Sequence, residues 1–600
     1  MKPQTASGLF QKILIANRGE IACRIIRTCQ NLGIPTVAVY SEADRDALHV
    51  RLADDAFHIG KATPEDSYLN HERILETAIQ CQADAIHPGY GFLAENDVFA
   101  EACLSKGIHF IGPRPESIRE MGSKSRAKQL MQEAGVPVVP GYHGDKQDFK
   151  ILRNEAEKIG FPLLIKPVAG GGGRGMRVVR QLNELEEALT LSRSEAKNAF
   201  GNDNVLLERF IEGPRHIEFQ IFGDQHGNFV HLHERECSIQ RRHQKILEES
   251  PSPFLYETIR KQMAEASLKA ANAVQYLGAG TVEFIVGEDR SFYFIEMNTR
   301  LQVEHPVTEM RTGLDLVEWQ IRVASGEKLP LDQDQIRPKG HSIEVRVCAE
   351  NPERGFLPSS GLLELYDFPE APSASGSSLI RLDSGFEQKD RVGIYYDSML
   401  AKLIVHGEDR VKALETIQHA LKYTAIIGPE TNLGFLQKLV SHPQFLEGKA
   451  DTLFIDACLP ELLQNEETTP DWIYWACAID YLQSEKESAR QKAANSSNPH
   501  SPWLFFDNWR MGGEEPFQIS FRDKQNHQRE VRLIERDSGF EVFSGKECIP
   551  LNFQQQGRDV VIRFENSNGT TEKHSLRRLK SSKLGHVTDY RMKASGFLPK

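Results

Sequence analysis

Apolar and polar positions recur with different periods along the chain and predict different kinds of element. Near the N-terminus, the apolar run at 12–16 predicts a buried strand, and Ile21, Ile25 and Cys29 recur every four residues, as on one helical face. A second apolar run at 36–40 predicts the next strand, and strand-then-turn patterns recur up to about residue 113. Strands that alternate with helices predict a doubly wound parallel sheet, in which ligands bind at the loops after the strands.

The middle of the chain, from about residue 125 to 450, mixes strand and helix patterns. Residues 410–423 and 471–494 predict helices, the second because Trp472, Trp475, Ile479 and Leu482 recur at spacings of three, four and three. A linker-like stretch follows at 493–500, and after Trp503 short strands alternate with turn residues. The chain is therefore predicted to be an α/β protein that ends in a small antiparallel β domain with a helix. Strands are predicted at 161–166, 204–208, 216–221, 281–285, 292–297, 342–347 and 399–405.

Composition narrows the class of protein without defining a function. The 600 residues carry 72 basic and 84 acidic side chains, a net charge of −12, which gives no sign of a broad nucleic-acid surface. Nine scattered cysteines contain no C-x-x-C pair, so neither a disulfide framework nor a zinc module is indicated. No apolar stretch reaches the roughly 20 residues of a membrane helix, and the N-terminus resembles no signal or transit peptide. We therefore expect a multidomain cytoplasmic protein.

A glycine-rich loop follows the strand predicted at 161–166. Such a loop lets backbone amides approach an anion, because no Cβ atoms intervene. A flexible surface hinge is the alternative, but the flanking Lys166 and Arg174 favour phosphate binding, and no P-loop motif is present. The loop glycines are Gly170, Gly171, Gly172, Gly173 and Gly175.

Carboxylates and an amide occur together on two neighbouring predicted strands. Glu283 lies on the first, and Glu296 and Asn298 lie at i and i+2 of the second, so that their side chains share a face. Such oxygen donors suit Mg²⁺ that bridges nucleotide phosphates. The alternative, a solvated sheet face, is disfavoured by the residues that follow.

Those residues are Arg300, Gln302 and Glu304, which alternate along 299–306. In an extended segment all three would face the same way, where they could bind a small oxyanion and abstract its proton. A bound anion would raise the pKa of Glu304 and Arg300 would lower it, so the net direction stays open.

The segment 236–245 carries three cations and a histidine. A surface basic stretch is the usual explanation, but the interleaved Gln240 and Gln244 favour a polar pocket. His231 and His233, which alternate on a predicted strand nearby, are expected to be structural because no further ligand spacing accompanies them.

Together these motifs resemble the biotin carboxylase family of the ATP-grasp superfamily. The matching stretches are KILIANRGEIA, HPGYGFLAEN, KPVAGGGGRGM, RECSIQRRHQK, GTVEFI, FIEMNTRLQVEHPVTE, EVRVCAENP and YDSMLAKL, which run from about residue 12 to 457. The resemblance implies a Rossmann-like N-terminal domain at 1–124, an ATP-grasp domain at 125–330 with a lid at about 140–207, and a biotin carboxylase C-terminal domain at 331–458. A subunit-docking domain, with helix, linker and β-barrel, would occupy 459–600.

The residues after about 500 resemble the region of acyl-CoA carboxylase α subunits, especially of the methylcrotonyl-CoA type, that joins the carboxyltransferase β subunit. Family α subunits usually end in a biotinyl domain whose lysine lies in a Met-Lys-Met turn. Here Met592-Lys593 is followed by only seven residues, and we interpret it as coincidence. Biotin is therefore expected on a carrier domain that is a separate protein or is missing from this chain.

The resemblance also implies roles for individual residues. ATP would phosphorylate bicarbonate to carboxyphosphate, whose carboxyl group passes to the ureido nitrogen of biotin. Glu304 would be the general base, Arg346 would stabilise the ureido oxygen, and Mg²⁺ or Mn²⁺ would bridge the phosphates. Bicarbonate would be held by Arg300, Gln302, the Val303 backbone and Lys245; the metal by Glu283, Glu296 and Asn298; and ATP by Lys124, Lys166, the glycine loop, Met176, Glu208, Arg209, Ile211, His216, Gln240, His243 and Ile285.

Other functions remain open from the sequence. The chain could be another ATP-grasp ligase, such as a carbamoyl-phosphate or purine-pathway enzyme, although QRRHQK and LQVEHPV argue against it. It could also be a non-catalytic assembly subunit, although Glu304, Arg346 and the glycine loop are all retained. Methylcrotonyl-CoA, from leucine degradation, is the first choice of acyl-CoA, ahead of geranyl-, propionyl- and acetyl-CoA. Family members commonly form oligomers through the carboxylase domain.

Overall fold

The computed structural model divides the chain into two compact units, Met1–Leu463 and Gln464–Lys600, which are described separately. The described residues are 8–168, 175–242, 244–369, 378–464, 470–499, 501, 515–522, 528–536, 539–544, 547–556, 559–565, 571–584 and 587–594.

The first unit begins with a five-stranded parallel sheet of strand order β3-β2-β1-β4-β5. The predicted periodicity is confirmed, because Ile21, Ile25 and Cys29 of α1 are buried, and the helix ends at Gly33, which has a left-handed φ of 71°. The strand order reverses beside β1, and such a switch point is where doubly wound sheets bind ligands. The elements are β1 (Ile13–Ile15), α1 (Gly19–Leu32), β2 (Thr36–Ser41), α2 (Leu48–Leu52), β3 (Asp55–Gly60), α3 (His71–Gln80), β4 (Ala85–His87), α4 (Asp97–Ser105), β5 (His109–Phe110) and α5 (Pro115–Gly122).

The next region contains a small four-stranded antiparallel sheet of order β6-β9-β7-β8 and the first strands of a larger one. Its elements are α6 (Lys124–Glu133), β6 (Gly141–Tyr142), α7 (Phe149–Ile159), β7 (Leu163–Pro167), β8 (Arg177–Val179), α8 (Leu185–Phe200), β9 (Val205–Arg209), β10 (Arg215–Gly223), β11 (Phe229–Arg241), β12 (Gln244–Ser250), α9 (Glu257–Ala273), β13 (Gly278–Val286), β14 (Phe292–Asn298), α10 (His305–Thr312) and α11 (Leu316–Ala324).

The larger sheet has eight antiparallel strands, in the order β14-β13-β10-β11-β12-β15-β22-β20. It runs across the boundary expected at residue 330, because β12 pairs with β15. The remaining elements of the unit are β15 (His341–Cys348), β16 (Glu350–Asn351), β17 (Leu357–Pro358), β18 (Gly361–Leu362), β19 (Leu365–Asp367), β20 (Leu379–Ser384), β21 (Arg391–Val392), β22 (Met399–Gly407), α12 (Arg410–Tyr423), β23 (Ala425–Ile427), α13 (Leu433–Leu439), α14 (Pro443–Leu446) and α15 (Phe454–Leu463).

The second unit packs one helix on a seven-stranded antiparallel sheet in chain order. Trp475, Ile479 and Leu482 are buried in its core, whereas Trp472 is partly buried, which confirms the predicted helix and small β domain. In the described parts of both units, no helix combines the length and apolarity needed to cross a bilayer. The elements are α16 (Asp471–Ala494), β24 (Phe517–Arg522), β25 (Gln528–Arg536), β26 (Gly539–Ser544), β27 (Glu547–Gln556), β28 (Asp559–Glu565), β29 (Thr571–Leu584) and β30 (Val587–Ala594), the last of which contains Met592-Lys593.

Candidate active site

One cavity of about 1230 Å³ in the first unit brings together most of the residues singled out in the sequence. Its lining comes from the loops after β1 and β4 and from strands of both antiparallel sheets. Asn17 joins the two loops, because its Nδ2 atom donates to the carbonyls of Pro88 and Tyr90, each at 2.7 Å. A cavity of this size and polarity is suited to a nucleotide and a second small substrate.

Arg300, Gln302 and Glu304 all line this cavity, but the expected extended segment is wrong at its end. Residues 303 and 304 form a turn, and Glu304 has φ −82° and ψ 9° as the residue before α10. The physical reason is Pro306 in the first turn of α10, because proline has a fixed φ that favours helix initiation. The three side chains therefore converge from a loop and a helix start.

Glu304 is fully buried between two cations. Lys245 Nζ lies 2.6 Å from its Oε1 atom, and Arg346 Nη2 lies 3.1 Å from its Oε2 atom. Burial alone would raise the pKa of Glu304, but the charges of Lys245, Arg346 and Arg235 hold that pKa well below its usual range. Glu304 is thus held at neutral pH in the ionised form that a general base requires.

Lys245 connects three carboxylates. Its Nζ atom lies 2.5 Å from Glu218, 3.0 Å from Glu283 and 2.6 Å from Glu304. Burial lowers the pKa of this lysine, but the three carboxylates together raise that pKa well above its usual value. Lys245 therefore stays charged, as a group that holds an anion must.

The predicted metal ligands lie on the adjacent strands β13 and β14, where Glu283 and Glu296 are directly paired. Glu283 Oε1 accepts hydrogen bonds from Asn298 Nδ2 at 2.8 Å and from Gln302 Nε2 at 2.9 Å, and His216 Nε2 lies 3.0 Å from Glu283 Oε2. Burial and the charge of Glu283 raise the pKa of Glu296. The two carboxylates on paired strand positions are oxygen donors of the kind that fits Mg²⁺ or Mn²⁺, while the amide oxygen of Asn298 accepts a hydrogen bond from Arg300 at 2.9 Å.

A second group of cations surrounds the buried Glu208. Lys166 Nζ lies 2.6 Å from its Oε2 atom, and Lys128, a residue that the sequence analysis missed, pairs with its other oxygen. Burial and the charge of Lys124 lower the pKa of Lys166 to about 8. Because the two lysines and Lys124 line the same cavity, a polyphosphate bound there would be electrostatically favoured.

The remaining predicted residues divide into three groups. Gly175, with φ 77°, is fixed by a hydrogen bond from Ser192 Oγ to its carbonyl and is followed by cavity-lining Met176. Gly170, Gly171, Gly172, Gly173, Arg174 and His243 lie outside the described residues. The cavity is also lined by Glu208, Arg209, Ile211, His216, Gln240, Ile285, Val303 and Arg346.

Arg235 and Glu218 are two further buried polar side chains that the sequence motifs did not single out. Arg235 is fully buried and donates to Glu218 Oε1 at 2.6 Å and to Gln302 Oε1 at 2.7 Å, so it supports the wall that carries Glu304. A sequence signal for this buried polar cluster exists along β10, where His216, Glu218 and Gln220 alternate with apolar residues. This alternation places polar groups on one buried face.

Comparison with known proteins gives consistent matches over most of the chain. Three family models match: "Biotin carboxylase, N-terminal domain" at residues 9–118, "Carbamoyl-phosphate synthase L chain, ATP binding domain" at 123–332 and "Biotin carboxylase C-terminal domain" at 344–457. The mitochondrial methylcrotonoyl-CoA carboxylase subunit alpha of Dictyostelium discoideum is 49% identical over 515 residues, which cover 86% of this chain and 72% of that protein. The corresponding Arabidopsis thaliana subunit is 45% identical over 601 residues, covering 99% of this chain and 79% of that protein.

Among solved structures, the biotin carboxylase domain dimer of the Hydrogenobacter thermophilus 2-oxoglutarate carboxylase is similar to this chain. That structure is a complex with MgADP, ADP and bicarbonate. It aligns with a TM-score of 0.72 and 47% sequence identity, over 76% of this chain and all of that chain (100%).

Proposed function

Because this chain belongs to the biotin carboxylase family, among the α subunits of methylcrotonoyl-CoA carboxylases, we propose that its cavity catalyses ATP-dependent carboxylation of biotin through the residues described above. Members of this family are ligases that use ATP, Mg²⁺ and bicarbonate. The observation that carries the assignment is the buried, ionised Glu304 between Lys245 and Arg346.

In the first step, Glu304 takes the proton of bicarbonate. The resulting carbonate oxygen attacks the γ-phosphoryl group, the bond to the β-phosphate oxygen breaks, and ADP leaves behind carboxyphosphate. Lys245, Arg300 and Gln302 hold the anion, and Lys124 and Lys166 bind the phosphates. Glu283, Glu296 and Asn298 would hold the metal ion, which supplies charge neutralisation to the phosphates.

In the second step, the C–O bond between the carboxyl group and phosphate breaks, the carboxyl group passes to the ureido nitrogen of biotin, and the released phosphate takes the ureido N–H proton. Arg346 lines the cavity beside Glu304, where its guanidinium group can stabilise negative charge on the ureido oxygen. The adenine ring would bind along Glu208, Arg209 and Ile211, between Met176 and Ile285, with His216 at the ribose and Gln240 nearby.

We further propose that the chain acts on biotin of a carrier domain and delivers it to a carboxyltransferase β subunit, with methylcrotonyl-CoA as the final acceptor. The support is that the methylcrotonoyl-CoA carboxylase match extends through the second unit. The solved relative is a dimer, and we infer that this carboxylase domain also pairs. Among the described residues the cysteines form no disulfide bond, which favours a reducing compartment such as the cytoplasm.

The decisive experiment is ATP hydrolysis by the full chain with free biotin. We expect ADP formation that requires Mg²⁺ and bicarbonate and is stimulated by biotin, with [¹⁴C]bicarbonate incorporated into carboxybiotin. Turnover supported by ammonia or an amino acid in place of biotin would contradict the proposal. Reconstitution with a carboxyltransferase β subunit and a biotinyl carrier, assayed with methylcrotonyl-, geranyl-, propionyl- and acetyl-CoA, identifies the acceptor.

A further inference from the structure

The guanidinium group of Arg346 is held from behind by a carboxylate that does not line the cavity. Arg346 Nε and Nη2 donate to Glu248 Oε1 at 2.9 and 2.5 Å, and Nη2 also donates to Glu304 Oε2 at 3.1 Å. Arg346 and Glu304 line the cavity, whereas Glu248, on β12, is fully buried and absent from the lining among the described residues. Glu248 therefore meets the cavity through its hydrogen bonds to Arg346.

A second buried carboxyl group faces Glu248. Glu344 lies directly opposite Glu248 in the β12–β15 register and two residues before Arg346, on the same face of β15. It is fully buried, and among the described residues neither of its oxygens has a hydrogen-bond partner. Two carboxyl groups at facing positions in a low-dielectric sheet cannot both be ionised without large repulsion.

We propose that Glu248 is a positioning residue that fixes Arg346 for the biotin-dependent step, and that Glu344 stays protonated so that Glu248 can be the ionised member of the pair. The inference deepens the proposed function and rests on it. The reactants do not touch the pair of Glu248 and Glu344, but the protonation state of this pair decides where the guanidinium group of Arg346 lies.

The charges around the pair support this division of roles. Burial raises the pKa of Glu344 well above its usual value; the cations Lys402 and Arg346 oppose this, while Glu248 and Glu304 add to it. Lys402 is itself engaged by Glu20 and by the Val303 carbonyl, both at 2.9 Å. The charge of Lys402 is therefore shared with other acceptors, and the charge of Arg346 with Glu248 and Glu304, which weakens the effect of both cations on Glu344.

The pKa of Glu248 is raised into the pH range in which the enzyme can be assayed. Burial raises its pKa to about 7, Arg346 and Lys245 oppose the shift, and Glu304 adds to it. Above that pH the carboxylate holds Arg346 through charge-assisted hydrogen bonds; below it, protonation removes the charge and weakens them. Glu304 stays ionised throughout and does not contribute to a loss of activity in acid, so any part of that loss that comes from Glu248 should vanish in the Glu248→Gln variant.

The test compares Glu248→Gln with the wild-type full chain in two assays: bicarbonate-dependent ATP hydrolysis without biotin, and carboxylation of free biotin, across pH 5.5–9. We expect kcat for biotin carboxylation to fall about 10- to 100-fold, the size of one lost charge-assisted hydrogen bond, with little change in biotin-independent hydrolysis. The fall in the rate of biotin carboxylation below about pH 7, the acid limb of the pH–rate profile, should disappear in Glu248→Gln. Glu248→Asp should restore part of the rate and part of this acid limb.

Glu236→Gln is the matched control, because Glu236 is also a buried carboxyl with a pKa raised to about 7 but hydrogen-bonds to Ser238 and Ser252, not to Arg346. It should retain the wild-type acid limb. For Glu344→Gln the midpoint of the limb should be unchanged; a shift to lower pH would show that Glu344 is ionised and would overturn its assigned state.

Other outcomes separate this inference from the proposed function. A wild-type chain without biotin-dependent turnover contradicts the proposed function. An active wild type with a Glu248→Gln variant that keeps its rate and acid limb contradicts the positioning role alone. Equal losses in both assays, together with a lowered thermal midpoint, would make Glu248 a structural residue and also overturn the inference.

Discussion

Lys245 Nζ lies 2.6 Å from Glu304 Oε1, although the two residues are 59 positions apart in the chain. The contact joins β12 to the start of α10 and places a fixed positive charge beside the proposed general base. A carboxylate held in this way is ionised and oriented before substrate arrives, so no reorganisation is needed at the moment of proton transfer.

Replacing Glu304 by glutamine tests its role as the base. The amide is close to isosteric but cannot accept the proton of bicarbonate, so we expect bicarbonate-dependent ATP hydrolysis to fall by about two orders of magnitude or more. Steady-state ADP release with bicarbonate and biotin measures the effect. Glu65→Gln, at an exposed position, is the charge-matched control. Near wild-type turnover of the Glu304 variant would refute the assignment.

Replacing Lys245 by methionine tests the ion-pair cluster. Three buried carboxylates, those of Glu218, Glu283 and Glu304, would lose their shared cation, and we expect destabilisation by about 3–5 kcal/mol at pH 8. The midpoint of urea unfolding measures this.

The pH dependence of the destabilisation in Lys245→Met follows from the directions in which the pKa values of the carboxyl groups are shifted. In the wild type the pKa values of Glu283 and Glu304 are lowered, so their stabilising contribution is present above the ordinary carboxyl range and is lost as pH falls below that range, through the lowered pKa values of the folded chain. The difference between variant and wild type should therefore shrink toward pH 4. Lys449→Met, which removes a fully exposed ion pair with Glu447, should leave the midpoint unchanged at every pH. An equal shift in both variants would rule out a special role for Lys245.

Replacing Glu296 by glutamine tests the metal site. One of two carboxylate donors is lost, and we expect the Mg²⁺ concentration for half-maximal ATP hydrolysis to rise about tenfold or more, equivalent to about 1.4 kcal/mol. Titration of Mg²⁺ at saturating ATP, after treatment with EDTA, gives the value. Glu288→Gln, at an exposed position shortly after β13, should match the wild type. An unchanged Mg²⁺ requirement of the Glu296 variant would exclude Glu296 as a ligand.

Replacing Trp475 by alanine tests the independence of the second unit. This side chain is buried against the sheet, with an edge-on contact to Phe564 at 5.3 Å between ring centroids, and its loss should destabilise the unit by about 3–5 kcal/mol. Trp472→Ala, at a partly buried position, should cost less. Differential scanning calorimetry should show one transition shifted, with kinetics on free biotin preserved. Loss of ATP hydrolysis in parallel would show that the two units do not act separately.

The sequence determined the elements whose pattern is local and the residues whose chemistry is concentrated in short motifs. The helices expected at 410–423 and 471–494 have those bounds in α12 and α16, because their apolar spacing repeats over several turns. Glu283, Glu296, Asn298, Arg300 and Glu304 were found because they lie within 22 consecutive residues. Their convergence on one cavity follows from two adjacent strands and the loop after them.

Only the tertiary structure decided which distant groups set the charge state of that cavity. The direction of the Glu304 pKa stayed open in the sequence because it depends on Lys245 and Arg346, which reach it across 59 and 42 positions. Arg235, Glu218 and Glu248 join the site through the register of β10, β11, β12 and β15, which local periodicity does not encode. Electrostatic energies depend on distance and burial, and both are properties of the folded chain.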